Sequence, residues 1–196
     1  MKIVGLTGGI GSGKTTVANF FSEFKNVAIY IADKEAKKLM NSSIVIRKKL
    51  LQEFGENAYL DNQLNKKFIS EIVFNNQKKL SVLNAIVHPE VRKHFNNFVK
   101  QNSDKAYIIY ENAILFESKS NQFCDIIITV QSSLNTRIER AILRDNVSRK
   151  EILDRIKNQW LEDKKTLQSN YVILNEELMN TRIQVKKIHN ILTKKE

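Results

Sequence analysis

The 196-residue chain is 42% apolar, enough to bury one proper core without staples, and its length fits a single domain with small helical additions. One cysteine, Cys124, excludes a disulfide framework and a multi-cysteine zinc site, and no apolar run approaches the roughly 18 residues of a membrane span, so no membrane partner is expected. Lys and Arg number 32 against 21 acidic residues, a net charge of +11, but 24 of them are lysines scattered along a chain that also holds 21 asparagines; this is a compositional bias with a solvated basic surface, attractive to polyanionic substrates, and no nucleic-acid partner is expected.

Residues 2–6 form a short apolar run ending at glycines, which predicts a buried strand rather than a secretory leader; a soluble protein of the cytoplasm is expected. Val17, Phe20, Phe21 and Phe24 at helical spacing predict a helix over 15–24, followed by a strand over 27–32 and a helix over 34–40. Residues 42–101 carry helical patterning with almost no strand signal. Ile46, Leu50, Leu51 and Phe54 mark one helix, Phe68, Ile72 and Val73 a second, and Leu80, Leu83, Ile86 and Val87 a third. The only proline, Pro89, suits the first turn of a fourth. Strands resume over 106–110 and 125–130, helices follow over about 133–144 and 149–160, and a strand over 171–174 precedes a terminal helix from Glu176. Strand and helix alternate at both ends around a helical insertion, which predicts an α/β fold with a mainly parallel five-stranded sheet flanked by helices.

Five of the six glycines lie in residues 5–13, so permissive backbone is concentrated where something must be bound. Gly8-Gly9-Ile10-Gly11-Ser12-Gly13-Lys14-Thr15 fits G-x-x-x-x-G-K-[ST] without mismatch. Glycines let successive N–H groups turn inward around phosphate oxygens, and the helix that follows presents its N-terminus to the anion. Gly8, Gly9, Gly11, Ser12, Gly13, Lys14, Thr15 and Thr16 are the candidate ATP-binding residues; Lys14 reaches the β- and γ-phosphates, and the Thr15 hydroxyl ligates Mg²⁺. A dinucleotide fingerprint starting at Gly9 fails because Lys14 stands where glycine is needed. Two GTPase signatures are missing as well: Gln52 occupies the Asp position before Gly55, and Asn65-Lys66-Lys67-Phe68 ends in phenylalanine. A small-molecule kinase or a compact ATPase remains.

Asp33 ends the second strand run, where the carboxyl ends of parallel strands line one crevice. It fits two roles, a carboxylate that takes the proton of an attacking hydroxyl or positions metal, and a cap for the following helix. Arg137, Arg140 and Arg144 share a helical face, with Arg155 on the next helix; they suit either a closing arginine cluster or a solvated basic face. Glu111 and Glu117 suit metal-side or structural roles, and His88 opens the Pro89 element.

These residues resemble, in order and over nearly the whole chain, the dephospho-CoA kinase family. The resemblance runs through Gly5-Leu6-Thr7 and the phosphate loop, Ala32-Asp33 with Ala36 and Leu39, His88-Pro89-x-Val91, Leu115-Phe116-Glu117, Arg137…Arg140…Arg144-Asp145, Gln159, and Val172-Ile173-x-Asn175. Two departures stand out. Ala113-Ile114-Leu115-Phe116-Glu117 replaces the family's usual Pro-Leu-Leu-x-Glu, and Ser169-Asn170 replaces its usual Ala-Asp pair. The resemblance implies ATP-dependent phosphorylation of the ribose 3′-hydroxyl of dephospho-CoA to CoA and ADP, the last step of coenzyme A synthesis, with Mg²⁺ as cofactor. It implies a nucleotide core (1–41, 102–139 and 166–196), a helical acceptor-binding insertion (42–101) and a lid (140–165). It also implies Lys14, Asp33 and Arg144 as catalytic residues, His88 with Asp33 on the acceptor, and Asp33 as base or as a metal-side group acting through water. A nucleoside or nucleotide kinase on the same scaffold is the rival; only Arg47 and Arg92 lie within 42–101 to meet a monophosphate, which weighs against it.

Overall fold

The computed structural model describes residues 1–74 and 76–194, in two compact units, Met1–Ile31 with Asn102–Glu196, and Ala32–Gln101. In chain order, β1 (Lys2–Thr7), α1 (Lys14–Ser22) and β2 (Val27–Ile31) open the first unit. The second unit holds α2 (Ala32–Ser42), α3 (Ile44–Phe54), β3 (Tyr59–Leu60), β4 (Gln63–Leu64), α4 (Lys66–Phe74) and α5 (Gln77–Gln101). The chain then returns to the first unit through β5 (Tyr107–Glu111), β6 (Ile126–Gln131), α6 (Leu134–Asp145), α7 (Arg149–Lys157), α8 (Glu162–Leu167), β7 (Tyr171–Leu174) and α9 (Leu178–Thr193).

The sheet of the first unit is parallel throughout, in the order β2-β5-β1-β6-β7. Its strands read as near-continuous apolar runs because both faces are covered. Val4, Leu6, Tyr107, Ile109, Ile128, Val130 and Ile173 pack with Val17, Ala18 and Phe21 of α1 and Val185, Ile188 and Leu192 of α9. Register aligns the carboxyl ends: Leu6 and Ile31 both pair with Glu111, and Thr7 pairs with Thr129.

In the second unit, α5 packs with α2, α3 and α4. Several expectations need correcting here. One helix, α5, runs through Pro89 where two were expected. Proline removes the N–H that would bond the Ala85 carbonyl, but Val87, Val91 and Phe95 continue one buried face across it. A two-residue hairpin, β3–β4, interrupts the expected all-helical stretch, turning at Asp61 and Asn62 with φ of 45° and 64°. The Tyr59 hydroxyl donates to the Met40 carbonyl at 2.6 Å, and Asn41 Oδ1 accepts from the Leu64 N–H at 2.8 Å, which ties the hairpin to α2. The second compact unit starts at Ala32 and so takes in α2. The short helix α8 had no counterpart in the sequence reading.

Behind the sheet, His189 of α9 stacks on Phe24 with ring centroids 3.7 Å apart, and its Nδ1 lies 2.8 Å from the Tyr107 hydroxyl. Burial holds His189 below its ordinary pKa of 6.5. The unfolded chain therefore takes up this proton first as pH falls, so the stability His189 contributes is complete above about pH 6.5 and is lost as pH drops below it. We expect the thermal midpoint to fall more between about pH 7 and pH 5.5 in the wild type than in His189→Gln. Parallel melting curves for the two proteins would show instead that His189 does not titrate differently on folding.

Candidate active site

The turn from β1 into α1 carries the G-x-x-x-x-G-K-T loop. Gly13 stands at the N-cap of α1 in the left-handed region, φ 85°, with no side chain across the helix end, so the first N–H groups stay open to an anion. A Cβ at Gly13 would also run into the Asn175 amide. Lys14 is only 8% exposed, and its Nζ donates to the Gly9 carbonyl at 3.1 Å. Outside the loop, Asn175 Nδ2 donates to the Ser12 carbonyl at 2.8 Å and Arg137 Nε to the Ile10 carbonyl at 3.0 Å, while Gln159 Oε1 accepts from the Ile10 N–H at 2.9 Å. The Ser12 hydroxyl is buried with no hydrogen-bond partner among the described residues. Thr16 is half-buried on the first turn of α1.

At the end of β5, the buried Glu111 accepts the Thr15 hydroxyl through Oε1 at 3.1 Å. Two hard oxygen donors thus stand together at the foot of α1. Mg²⁺ takes one or two such protein oxygens and keeps several waters, so the donor set fits it. Among the described residues, no group of three or more His, Cys, Asp or Glu side chains forms a dedicated metal cage. Of the two glutamates singled out, Glu111 stands beside Thr15, whereas Glu117 is engaged elsewhere: its Oε1 accepts from the Trp160 N–H at 2.7 Å and pairs with the fully buried Lys165 at 3.2 Å. Lys165 Nζ reaches the Ala113 carbonyl at 3.3 Å, and Trp160 stacks on Phe116 at 5.5 Å, so the segment after α7 is fastened to the loop after β5.

The three arginines of α6 diverge. Arg137, 4% exposed, turns onto the phosphate loop and faces Glu162 at 3.5 Å. Arg140 donates to the Asn175 carbonyl at 2.9 Å and to Ser132 Oγ at 3.0 Å. Arg144, 61% exposed at its side chain, forms a two-bond pair with Asp145 at 2.8 and 3.0 Å. The Arg144 hydrogen bond, with the charges of Arg144 and Arg155, holds the Asp145 carboxyl below its usual range, and Arg155 shares the same carboxylate at 2.8 Å. Helical spacing put these arginines together, but burial singles out Arg137 against the loop.

In the second unit, Asp33 is the second residue of α2 rather than its cap, exposed on the first turn where a negative charge suits the helix dipole. The same unit brings it within electrostatic reach of His88. Partial desolvation lowers the His88 pKa from its ordinary 6.5, and the Asp33 charge opposes that shift. Asp33 and His88, separated by 55 positions in the chain (88 − 33), are therefore neighbours in charge.

The family model for dephospho-CoA kinase matches residues 2–180 of the chain. A dephospho-CoA kinase of Bacteroides fragilis is 37% identical over 173 residues, 88% of this chain and 84% of that relative. Among solved structures, TT1252 from Thermus thermophilus superimposes with a TM-score of 0.89 at 26% identity, covering 99% of this chain and 98% of that one. A dephospho-CoA kinase from Campylobacter jejuni shares the fold, with a TM-score of 0.63 at 19% identity over 97% of both chains.

The Glu117–Lys165 pair has a measurable consequence. Replacing Lys165 by Met strands the Glu117 carboxylate in a largely buried site, and we expect a loss of about 3 kcal/mol in urea unfolding. Adding Glu117→Gln to Lys165→Met should recover part of it. A single-variant loss below about 0.5 kcal/mol would mean that the pair contributes nothing beyond a surface ion pair.

Proposed function

The chain belongs to the dephospho-CoA kinase family, which converts dephospho-CoA to CoA, and from that premise we propose that it transfers the γ-phosphoryl group of ATP to the ribose 3′-hydroxyl, releasing ADP. The observation that carries this reading is the open N-terminus of α1 behind Gly13, with Lys14 at its first position and Thr15 beside Glu111. N–H groups from Gly8 to Thr16 cradle the donor phosphates, and Lys14 neutralises β/γ charge. Mg²⁺ held by Thr15, directly or through water by Asp33, would supply charge neutralisation at the β- and γ-oxygens. Asp33 accepts or orients the 3′-hydroxyl proton, and His88 binds the acceptor. Residues 42–101 take dephospho-CoA, and residues 140–165 act as the lid, bringing Arg144 to the transferring group. The +11 charge draws in two polyanionic substrates and needs no nucleic acid. No described helix is long and apolar enough to cross a membrane, and the cytoplasm is the proposed setting.

A coupled ADP-release assay comparing dephospho-CoA, adenosine and nucleoside monophosphates tests the reading. Dephospho-CoA should be the preferred acceptor; a monophosphate turned over as fast would overturn it. Within that assay, Asp33→Asn should keep thermal stability and lose turnover by about 10²-fold, near the lower end for a removed general base because little proton transfer is needed in a loose transition state. Recovery of the rate at high Mg²⁺ would assign Asp33 to the metal instead. Arg144→Ala should lower kcat while the KM for dephospho-CoA stays close to wild type, since Arg155 still holds Asp145. A change confined to the melting temperature would make Arg144 a surface arginine.

A further inference from the structure

Ile10 lies at the bend of the phosphate loop, and side chains from the C-terminal half of the chain occupy both polar groups of its backbone. Its N–H donates to Gln159 Oε1 at 2.9 Å, and its carbonyl accepts from Arg137 Nε at 3.0 Å. The Ile10 side chain packs against the small apolar cluster formed by Ile138 and Ala141 of α6 with Ile152 of α7. The glycines on either side provide the room. A side chain at Gly9 would meet the Arg137 guanidinium and the Glu162 carboxylate, and one at Gly11 would meet the Arg137 backbone.

Flanking glycines also make the Ile10 peptide cheap to rotate, Gly11 already lying at φ 77°. The neighbouring N–H groups bind a phosphate only while they converge, and glycine has no side chain with which to hold them so. Within the loop, Lys14 Nζ and the Ser12 N–H hold the Gly9 carbonyl, whereas the two polar groups of Ile10 are held from outside it. We propose that Gln159 and Arg137 are positioning residues of the kinase, gripping the Ile10 backbone by its N–H and its carbonyl and so holding the loop in its phosphate-binding curvature before ATP arrives. Glu162, 3.5 Å from the Arg137 guanidinium, orients that arginine, and the Gln159 Nε2 reaches the Ala113 carbonyl at 3.5 Å. Held in place beforehand, the loop has less freedom to lose when the nucleotide binds. The proposal rests on the phosphate-loop reading and adds two residues to it.

Calorimetric titration of Mg·ADP separates this from packing. Gln159→Met keeps the side-chain length and removes the acceptor; ADP affinity should fall about ten-fold, as for a polar group left unpaired. The KM for ATP should rise with it, while the KM for dephospho-CoA and the melting temperature stay near wild type. Arg137→Lys keeps the charge, loses Nε, and should act in the same direction. Because both residues restrain the backbone of one residue, the double variant should lose less than the product of the two single losses. Unchanged ADP affinity in folded Gln159→Met overturns the proposal, and so does a fall in melting temperature without one in affinity. If Arg137→Lys does not fold, Gln159→Met alone decides. Wild-type protein that binds ADP but leaves dephospho-CoA untouched would refute the proposed reaction and leave this result standing.

Discussion

A loop that turns its N–H groups inward sends its carbonyls outward, and each carbonyl removed from water needs a donor. Much of the first unit is arranged around that constraint. The Gly9 carbonyl accepts from Lys14 Nζ and from the Ser12 N–H, the Ile10 carbonyl from Arg137, and the Ser12 carbonyl from Asn175 and, at 3.4 Å, Ser132. The donors from outside the loop sit on α6 and at the carboxyl ends of β6 and β7. The strand order explains why they are available: β6 lies directly beside β1, and β7 beside β6, all pointing the same way. Asn175 is in turn held by the Thr181 hydroxyl on α9 at 2.9 Å, so the restraint extends through the sheet edge into the terminal helix.

The opposite side of β1 is different in kind. There β5 ends at Glu111, whose carboxylate accepts a hydroxyl from Thr15 rather than satisfying a loop carbonyl. One flank of the loop is thus occupied by groups that hold backbone, and the other presents oxygen donors suited to a metal. The arginines of α6 follow the same geometry. A helix rises about 1.5 Å per residue, so seven positions separate Arg137 from Arg144 by about 10 Å. Arg137 reaches the loop, Arg140 reaches the chain after β7, and Arg144 lies beyond both, with Asp145 as its partner.

The phosphate loop and all five strands of the large sheet were legible because the glycines are concentrated in one place and each strand is a continuous apolar run bounded by glycine or polar residues. Their ends shift by only a residue or two, Tyr107–Glu111 against 106–110 being typical. The β3–β4 hairpin was not legible, since two-residue strands have no period, although Asp61-Asn62 is the kind of pair that tolerates positive φ. The passage of α5 through Pro89 was signalled by Val87, Val91 and Phe95 at i, i+4 and i+8, a spacing that outweighs one missing N–H. Arg137 and Gln159 were singled out, but their contacts with Ile10 were not legible, for another reason. Their partners are backbone groups of Ile10, 127 and 149 positions away, and spacing along a helix does not encode contacts of that range.

The departures from the family's usual residues become intelligible in the same physical terms. Ser169-Asn170 acts on the sheet: Asn170 Oδ1 accepts from the Ile127 N–H at 2.8 Å, its own N–H donates to the Ile127 carbonyl, and Ser169 Oγ lies 2.7 Å from Thr129 Oγ1. The pair closes the start of the β6–β7 ladder, a task that an amide and a hydroxyl perform well. In the loop after β5, Ala113 stands where proline is usual, but the group in use there is its carbonyl, which accepts from Lys165 and Gln159. Alanine and proline present that carbonyl alike. The turn that proline would stiffen is held here by Asn112, whose Oδ1 accepts from the Ile114 N–H at 2.9 Å. Glu117, the other anchor, is retained. The fastening of the segment after α7 therefore depends on a backbone oxygen, one carboxylate and the Phe116–Trp160 stack, with Leu115 buried beneath them.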